Sequence, residues 1–430
     1  MALPDTISKA YTAILQEELL VAMGCTEPIA IAYAASILRK TLQNKPDRIV
    51  ARLSGNIIKN VKSVIVPATG GLHGIEAAIA AGIIAGCPER ELEVLNGINP
   101  NNRDEIPAFL KRCQFTIEEM ESQSAFDLEL TGYQNPHMAV VRISENHTNV
   151  VTVSMDDKDL TASYLRTIHD TTAAKTDRSV LNLQDILTFA DETDLTQLTP
   201  LLERQISMNM AIAEEGLQGN YGACIGKVLY HNGDKSLRNR ARAYAAAGSD
   251  ARMNGCEMPV GILSGSGNQG ITASVPVTIY ARDMGASQEQ LLRAVLVADL
   301  ITIHQKTGIG CLSAYCGAIS AGCGCAAGIC YLQGGDYHAV AHTLVNAVAI
   351  LSGTICDGAK ASCAAKIAMA VEAGIMGYEM MLAGQQFYGG DGIVTKGVEN
   401  TIRNVGRLAK NGMLETDKEI IRIMLGRSGC

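Results

Sequence analysis

Four cysteines have the placing that could do chemistry: Cys316, Cys356 and Cys363 in the C-terminal half, and Cys25 in the run Gly24-Cys25-Thr26-Glu27-Pro28. Three thiolates can hold an iron-sulfur cluster while leaving one iron open to a substrate, which makes such a cluster a Lewis acid. Cys356 and Cys363 stand seven residues apart. On a straight helix that is one face but about 10.5 Å of rise, long for one compact cluster. Gly358 removes the difficulty if residues 356 to 358 form a turn and a helix starts after them, folding Cys356 back toward Cys363. Cys316 lies 40 residues before Cys356 and must arrive through tertiary folding. The spacing is not a tight ferredoxin-type run, and alone it favours buried structural thiols. Cys311, Cys323, Cys325 and Cys330 crowd the same stretch, with Cys323 the natural competitor of Cys316 because the two share a helical face. Cys256 reads as a packing residue.

Pro28 suits the first turn of a helix, so Cys25 should precede a helix N-terminus. Unpaired N–H groups and the helix dipole acidify a thiol there, and Cys25 is expected to be partly thiolate at neutral pH. The run Ser264-Gly265-Ser266-Gly267-Asn268-Gln269-Gly270 offers small residues, open backbone N–H groups and side-chain amides, a composition suited to gripping a carboxylate. It lacks the lysine of a P-loop, and its glycine spacing is wrong for a dinucleotide fold. A second glycine-rich turn, Thr69, Gly70, Gly71 and His73, could close over a substrate. Lys306, Lys360, Arg240 and Arg252 are candidate counter-charges for a carboxylate, and His304 a candidate polar neighbour.

Four separated motifs carry a family resemblance: Cys25 in MGCTEP, LSGSGNQGITASVP from Leu263 to Pro276, HQKTGIGCLSAYCG around Cys316, and CDGAKASC from Cys356 to Cys363. Together they resemble the L-cysteine desulfidase family, which is related more distantly to the iron-sulfur L-serine dehydratases. The resemblance runs from Cys25 to Cys363. It implies a 4Fe-4S cluster held by Cys316, Cys356 and Cys363, a catalytic Cys25, and a carbon-sulfur lyase converting L-cysteine to pyruvate, sulfide and ammonia by non-redox β-elimination. Under that reading Ser264, Ser266, Asn268, Gln269 and Thr69 contact the substrate, and a Cys25 thiolate removes the Cα proton. No lysine motif for pyridoxal phosphate (PLP) is evident, so no PLP is expected. The related serine dehydratases place a C-terminal tail cysteine on the open iron, a role open to Cys430. The alternatives are an iron-sulfur L-serine dehydratase and a non-catalytic metal or redox sensor.

These residues need elements to position them. With 430 residues, 47% hydrophobic and 19% charged, the composition is that of a soluble globular protein. A charge of -8, from 36 basic and 44 acidic residues, argues against nucleic acid as a partner. Thirteen cysteines behind an N-terminus with acidic residues fit a reducing cytoplasm rather than a secreted disulfide scaffold. Residues 309–332 carry no charge, yet Gly, Ala, Ser and Cys dominate there, which predicts a buried central helix rather than a membrane span.

The expected fold is α+β. A helical catalytic domain, residues 1–46 plus 191–430, is built from N-terminal helices and the C-terminal half, and residues 47–190 form an inserted α/β lobe. Strands are expected at Arg48 to Leu53, Val61 to Val66, Phe126 to Thr131, His137 to Ser144 and Asn149 to Ser154, the last two joined by a turn at residues 145–148. A helix should follow at Ile75 to Ala85. The C-terminal half should hold helices at Asp194 to Glu215, Ser236 to Ala247, Ser287 to Gln305, Tyr337 to Ile350, Ala361 to Ala373 and Thr401 to Lys410. The expected partner is a small amino-acid substrate, with a homo-oligomer possible.

Overall fold

The computed structural model describes residues 3–122, 124–168, 175–310 and 313–426. Its α+β class is as expected, with a six-stranded sheet, a two-stranded ribbon and a large helical part. The sheet uses β2 (Arg48–Leu53), β3 (Gln114–Glu119), β4 (Asp127–Gln134), β5 (His137–Ser144), β6 (Val150–Met155) and β7 (Lys158–Asp159) in the order β3-β2-β4-β5-β6-β7. β2 and β3 run parallel, because the helices at Gly55–Val61, Ile75–Ala85 and Pro100–Arg112 carry the chain across between them, and every other pairing is antiparallel. The alternation of buried Leu128 and Leu130 on β4 and Ala139, Val141 and Ile143 on β5 points one face at the helix Thr26–Leu42, behind which the helix Ile75–Ala85 packs, leaving the other face more open.

The strand expected at Val61 to Val66 is absent. Residues 55–61 instead wind into a helix whose buried Ile57, Ile58 and Val61 share one side, and only Ile65 bridges, to His73. The period there is helical, and the short β-branched run after it is too brief for a ladder.

The helices of the C-terminal half pack closely because their contact faces are small. The uncharged stretch becomes the helix Gly317–Leu332, buried along nearly its whole length among the helices Gln288–Ile309, Gly267–Met284 and Cys363–Leu382. Gly322 touches the last of these so tightly that a Cβ would stand 2.4 Å from the Ala370 carbonyl oxygen. No described helix is long and apolar enough to cross a membrane.

A two-stranded antiparallel ribbon ties the N-terminal segment to the helical part: β1 (Leu20–Met23) pairs with β8 (Pro259–Ile262), from Leu20 against Ile262 to Met23 against Pro259. Gly24, at φ +60, then turns the chain into the helix Thr26–Leu42, and a Cβ there would overlap Pro67 at 2.3 Å. The N-terminal segment thus touches both parts. Its ribbon belongs to the helical part, and the helix it leads into lies on the sheet.

Candidate functional site

Cys316 caps the helix Gly317–Leu332, and Cys363 begins the helix Cys363–Leu382. Between them an isolated antiparallel bridge, Tyr315 to Ile355, holds two loop segments side by side. In it the Cys316 N–H donates to Thr354 O at 3.1 Å and the Cys356 N–H to Ala314 O at 2.6 Å. The fold-back expected at Gly358 is present. Gly358 sits at φ +92, pressed against the Lys59 carbonyl, and the Cys363 thiol points to Gly358 O at 3.7 Å.

The three sulfurs influence one another. Cys316 and Cys356 are coupled: the neighbouring Cys316 thiol lowers Cys356 below its ordinary range against its burial, with Lys59 and Lys366 adding to the effect. The same coupling, together with burial, pushes Cys316 well up, and burial raises Cys363. Three soft donors, one already thiolate-prone and flanked by lysines, suit a cationic iron-sulfur centre. Among the described residues no three His, Cys, Asp or Glu side chains gather as a single metal ion requires. A cluster spreads its ligands over several irons, and Cys316, Cys356 and Cys363 all face one cavity of about 1180 Å3.

Cys25 lines the same cavity and N-caps the helix Thr26–Leu42, as expected. Its expected acidity is overturned. Burial and the Glu27 carboxylate raise the thiol well above its ordinary range, and Arg252 only partly opposes them. The thiol donates to Glu27 Oε2 at 3.0 Å. Glu27 also accepts from Thr26 Oγ1 at 3.1 Å and from Asn60 Nδ2 at 3.0 Å, so its carboxylate is held by three donors.

The glycine-serine run forms a tight turn. Leu263 and Ser266 exchange backbone hydrogen bonds of 3.0 and 3.1 Å, with Ser264 at φ +47 and Gly265 at φ +77. Thr26 Oγ1 lies 3.1 Å from Gly265 O as well as from Glu27 Oε2, so its one hydrogen is shared between this turn and the Cys25 segment. Ser266 then caps the helix Gly267–Met284, whose first N–H groups have no partner within the helix. The buried Arg252 guanidinium lies against this helix start, and a Cβ on Gly267 would stand 2.3 Å from its Nε. Four enclosed polar atoms on this side of the cavity have no partner: Arg252 Nε, Asn268 Oδ1, Gln269 Oε1 and His147 Nε2.

Of the residues expected from sequence, Cys25, Ser264, Ser266, Asn268, Gln269, Cys316, Cys356 and Cys363 converge on this cavity. Thr69 does not line it. Its hydroxyl donates within its own turn, to Val66 O at 2.7 Å. Lys306 and Arg252 line the cavity, whereas Arg240 pairs with Asp283, Lys360 with Asp357, and His304 with Glu399 at 2.7 Å. Cys323 is buried in its helix without facing the cavity, and Cys311 and Cys430 fall outside the described residues. Glu27, Asn60, Lys59 and His147 also line the cavity but are not among the residues expected from sequence. Glu27 carried a signal, two positions after Cys25. Asn60 and Lys59 carried none, since their helix reaches the site only through packing.

The model of the serine dehydratase alpha chain family matches residues 89–422. A UPF0597 protein of Desulfitobacterium hafniense is 51% identical over 429 residues, covering 98% of each chain. One of Treponema denticola is 44% identical over 430 residues, 99% of this chain and 100% of the relative. One of Clostridium perfringens is 37% identical over 421 residues, 96% of this chain and 97% of the relative.

Proposed function

The chain belongs to the serine dehydratase alpha chain family, and from that premise we propose a lyase that eliminates the β-substituent of a small α-amino acid, with L-cysteine as substrate and a 4Fe-4S cluster on Cys316, Cys356 and Cys363. The observation that carries this reading is one cavity lined both by Cys316, Cys356 and Cys363 and by Arg252, Asn268, Gln269 and His147, each of which has an enclosed polar atom without a partner. An enclosed polar group without a partner costs about 1–3 kcal/mol, so these atoms are built for a ligand. Arg252 and the open N–H groups of the Gly267–Met284 helix suit a carboxylate, and the amide oxygens of Asn268 and Gln269 suit an ammonium group. That is the pattern of a zwitterionic amino acid whose side chain points to the cysteines.

When bound, the cluster supplies a Lewis-acidic iron that makes the substrate's β-sulfur a better leaving group. Cys25 Sγ accepts the Cα proton once its own proton has passed to Glu27 Oε2, the carboxylate it already touches. The electron pair of the Cα–H bond becomes the Cα=Cβ bond, and the Cβ–S bond breaks with its pair leaving on sulfide. One water then converts the released aminoacrylate to pyruvate and ammonia. Asn60 holds Glu27 in place throughout.

A second reading is dehydration of L-serine, favoured by the description of the matching family. The deciding experiment uses anaerobically reconstituted protein with measured iron and sulfide content. It compares sulfide release from L-cysteine and pyruvate release from L-serine in wild type, Cys25→Ala and Cys356→Ala. The expected result is cysteine turnover in wild type, cluster without turnover in Cys25→Ala, and loss of both in Cys356→Ala. Much faster turnover of serine would establish the second reading, and a cluster with neither activity would favour a sensor.

A further inference from the structure

His147 stands at the turn between β5 and β6, on the sheet, yet it faces a cavity built mainly by the helical part. Its ring packs on Phe126 with centroids 4.6 Å apart. Cε1 approaches the glycine-serine turn so closely that a Cβ on Gly265 would stand 3.4 Å from it. The loop leaves the residue partly exposed, but Nε2 itself is enclosed and has no partner. His147 lines the ligand cavity beside the start of the Gly267–Met284 helix, and with the proton on Nε2 the enclosed nitrogen lacks an acceptor of the kind an amino-acid carboxylate provides. Burial holds the imidazole below its ordinary range, with Arg252 and Lys175 acting in the same direction and Glu27 against them. The ring therefore carries one N–H at neutral pH.

We propose that His147 is a substrate contact whose Nε2–H donates to the carboxylate of the bound α-amino acid, so that the sheet hairpin completes a subsite begun by Arg252 and the Gly267–Met284 helix. This rests on the amino-acid reading above. The subsite is then assembled from both parts of the molecule, and carboxylate recognition depends on the hairpin being seated against the Ser264-Gly265 turn.

Two variants separate the contact from packing. His147→Phe keeps a ring against Phe126 and removes Nε2, whereas His147→Gln places an amide N–H at nearly the reach of Nε2. The measurement, on reconstituted protein of verified iron content and melting temperature, is KM and kcat for L-cysteine beside the inhibition constant of cysteamine, which keeps thiol and amine but has no carboxylate. The expected result is a KM raised about 10-fold or more in His147→Phe, with cysteamine inhibition unchanged and KM largely restored in His147→Gln. An unchanged KM in His147→Phe, an equal weakening of cysteamine, or no recovery in His147→Gln overturns the contact. If wild type acts on L-serine instead, the same comparison runs with L-serine and ethanolamine, and the lyase reading fails separately only if wild type turns over neither amino acid.

Discussion

At the scale of single residues, Cys25 shows why position on a helix is not enough to set a thiol's acidity. A helix N-terminus offers about half a positive charge, and only to a group within its first turn. Full burial and a carboxylate at 3.0 Å act the other way and win. In the proposed mechanism the Cys25 proton leaves through Glu27, and Glu27→Gln should then lower sulfide release about 10-fold or more at unchanged iron content. A rise in turnover would mean that the carboxylate only restrains the thiol. A second buried acid lies in the helical core. Asp299 accepts from Gln205 Nε2 at 3.0 Å, while Asp299 Oδ2 and Gln205 Oε1 have no partner. Burial raises this acid to about 8. Because the folded value lies above the unfolded one, the stability it contributes is complete below the usual carboxylate range and is lost as pH rises through about 8. Asp299→Asn keeps the pairing without a charge. Its stability should exceed that of wild type at pH 8 by on the order of 5 kcal/mol at most, read as a higher melting temperature, and the gap should close near pH 4. A gap that does not vary with pH would show that Asp299 does not titrate in this range.

At the scale of elements, the placing of the three cysteines proposed as ligands depends on two backbone devices. The Tyr315–Ile355 bridge fixes Cys316 against Cys356, and Gly358 folds the chain so that Cys356 returns toward Cys363. A Cβ on Gly358 would stand 2.3 Å from Lys59 O, at a φ that side chains rarely adopt, so Gly358→Ala should displace the loop and reduce the iron retained after reconstitution. Gly322 is a different case. It sits inside the helix that Cys316 caps, away from the Gly358 turn, and Gly322→Ala should cost about 1–3 kcal/mol of stability by overpacking against Ala370. Iron bound per folded chain should stay near that of wild type. Equal iron loss in both variants would show that the helix packing, rather than the loop, sets the ligand geometry.

At the scale of the whole molecule, the sulfur-bearing loops border the cavity, whereas the main core runs without interruption from the sheet helices through the Gly317–Leu332 helix. Removing iron with a chelator should therefore abolish turnover yet leave far-ultraviolet circular dichroism close to that of the loaded protein. Unfolding on chelation, as in domains whose metal is their core, would contradict this. Much of the architecture was legible in the sequence. Arg48–Leu53, Ile75–Ala85, His137–Ser144 and Tyr337–Ile350 fall where local period and caps place them, since those signals reside in neighbouring side chains. The residue types of the site were legible through the family resemblance of four separated motifs, since the cysteine spacing by itself favours buried structural thiols. The sequence could not show that Thr69 keeps its hydroxyl for its own turn, nor that a helix at residues 55–61 would bring Lys59 and Asn60 to the cavity. Nor could it show that Glu27 would hold the Cys25 proton, or that a histidine on the sheet would face the helical part. Composition and periodicity determined which groups exist and which elements carry them. Only tertiary packing decided which groups meet, because burial, hydrogen bonding and local field are properties of neighbours that the chain brings together from far apart.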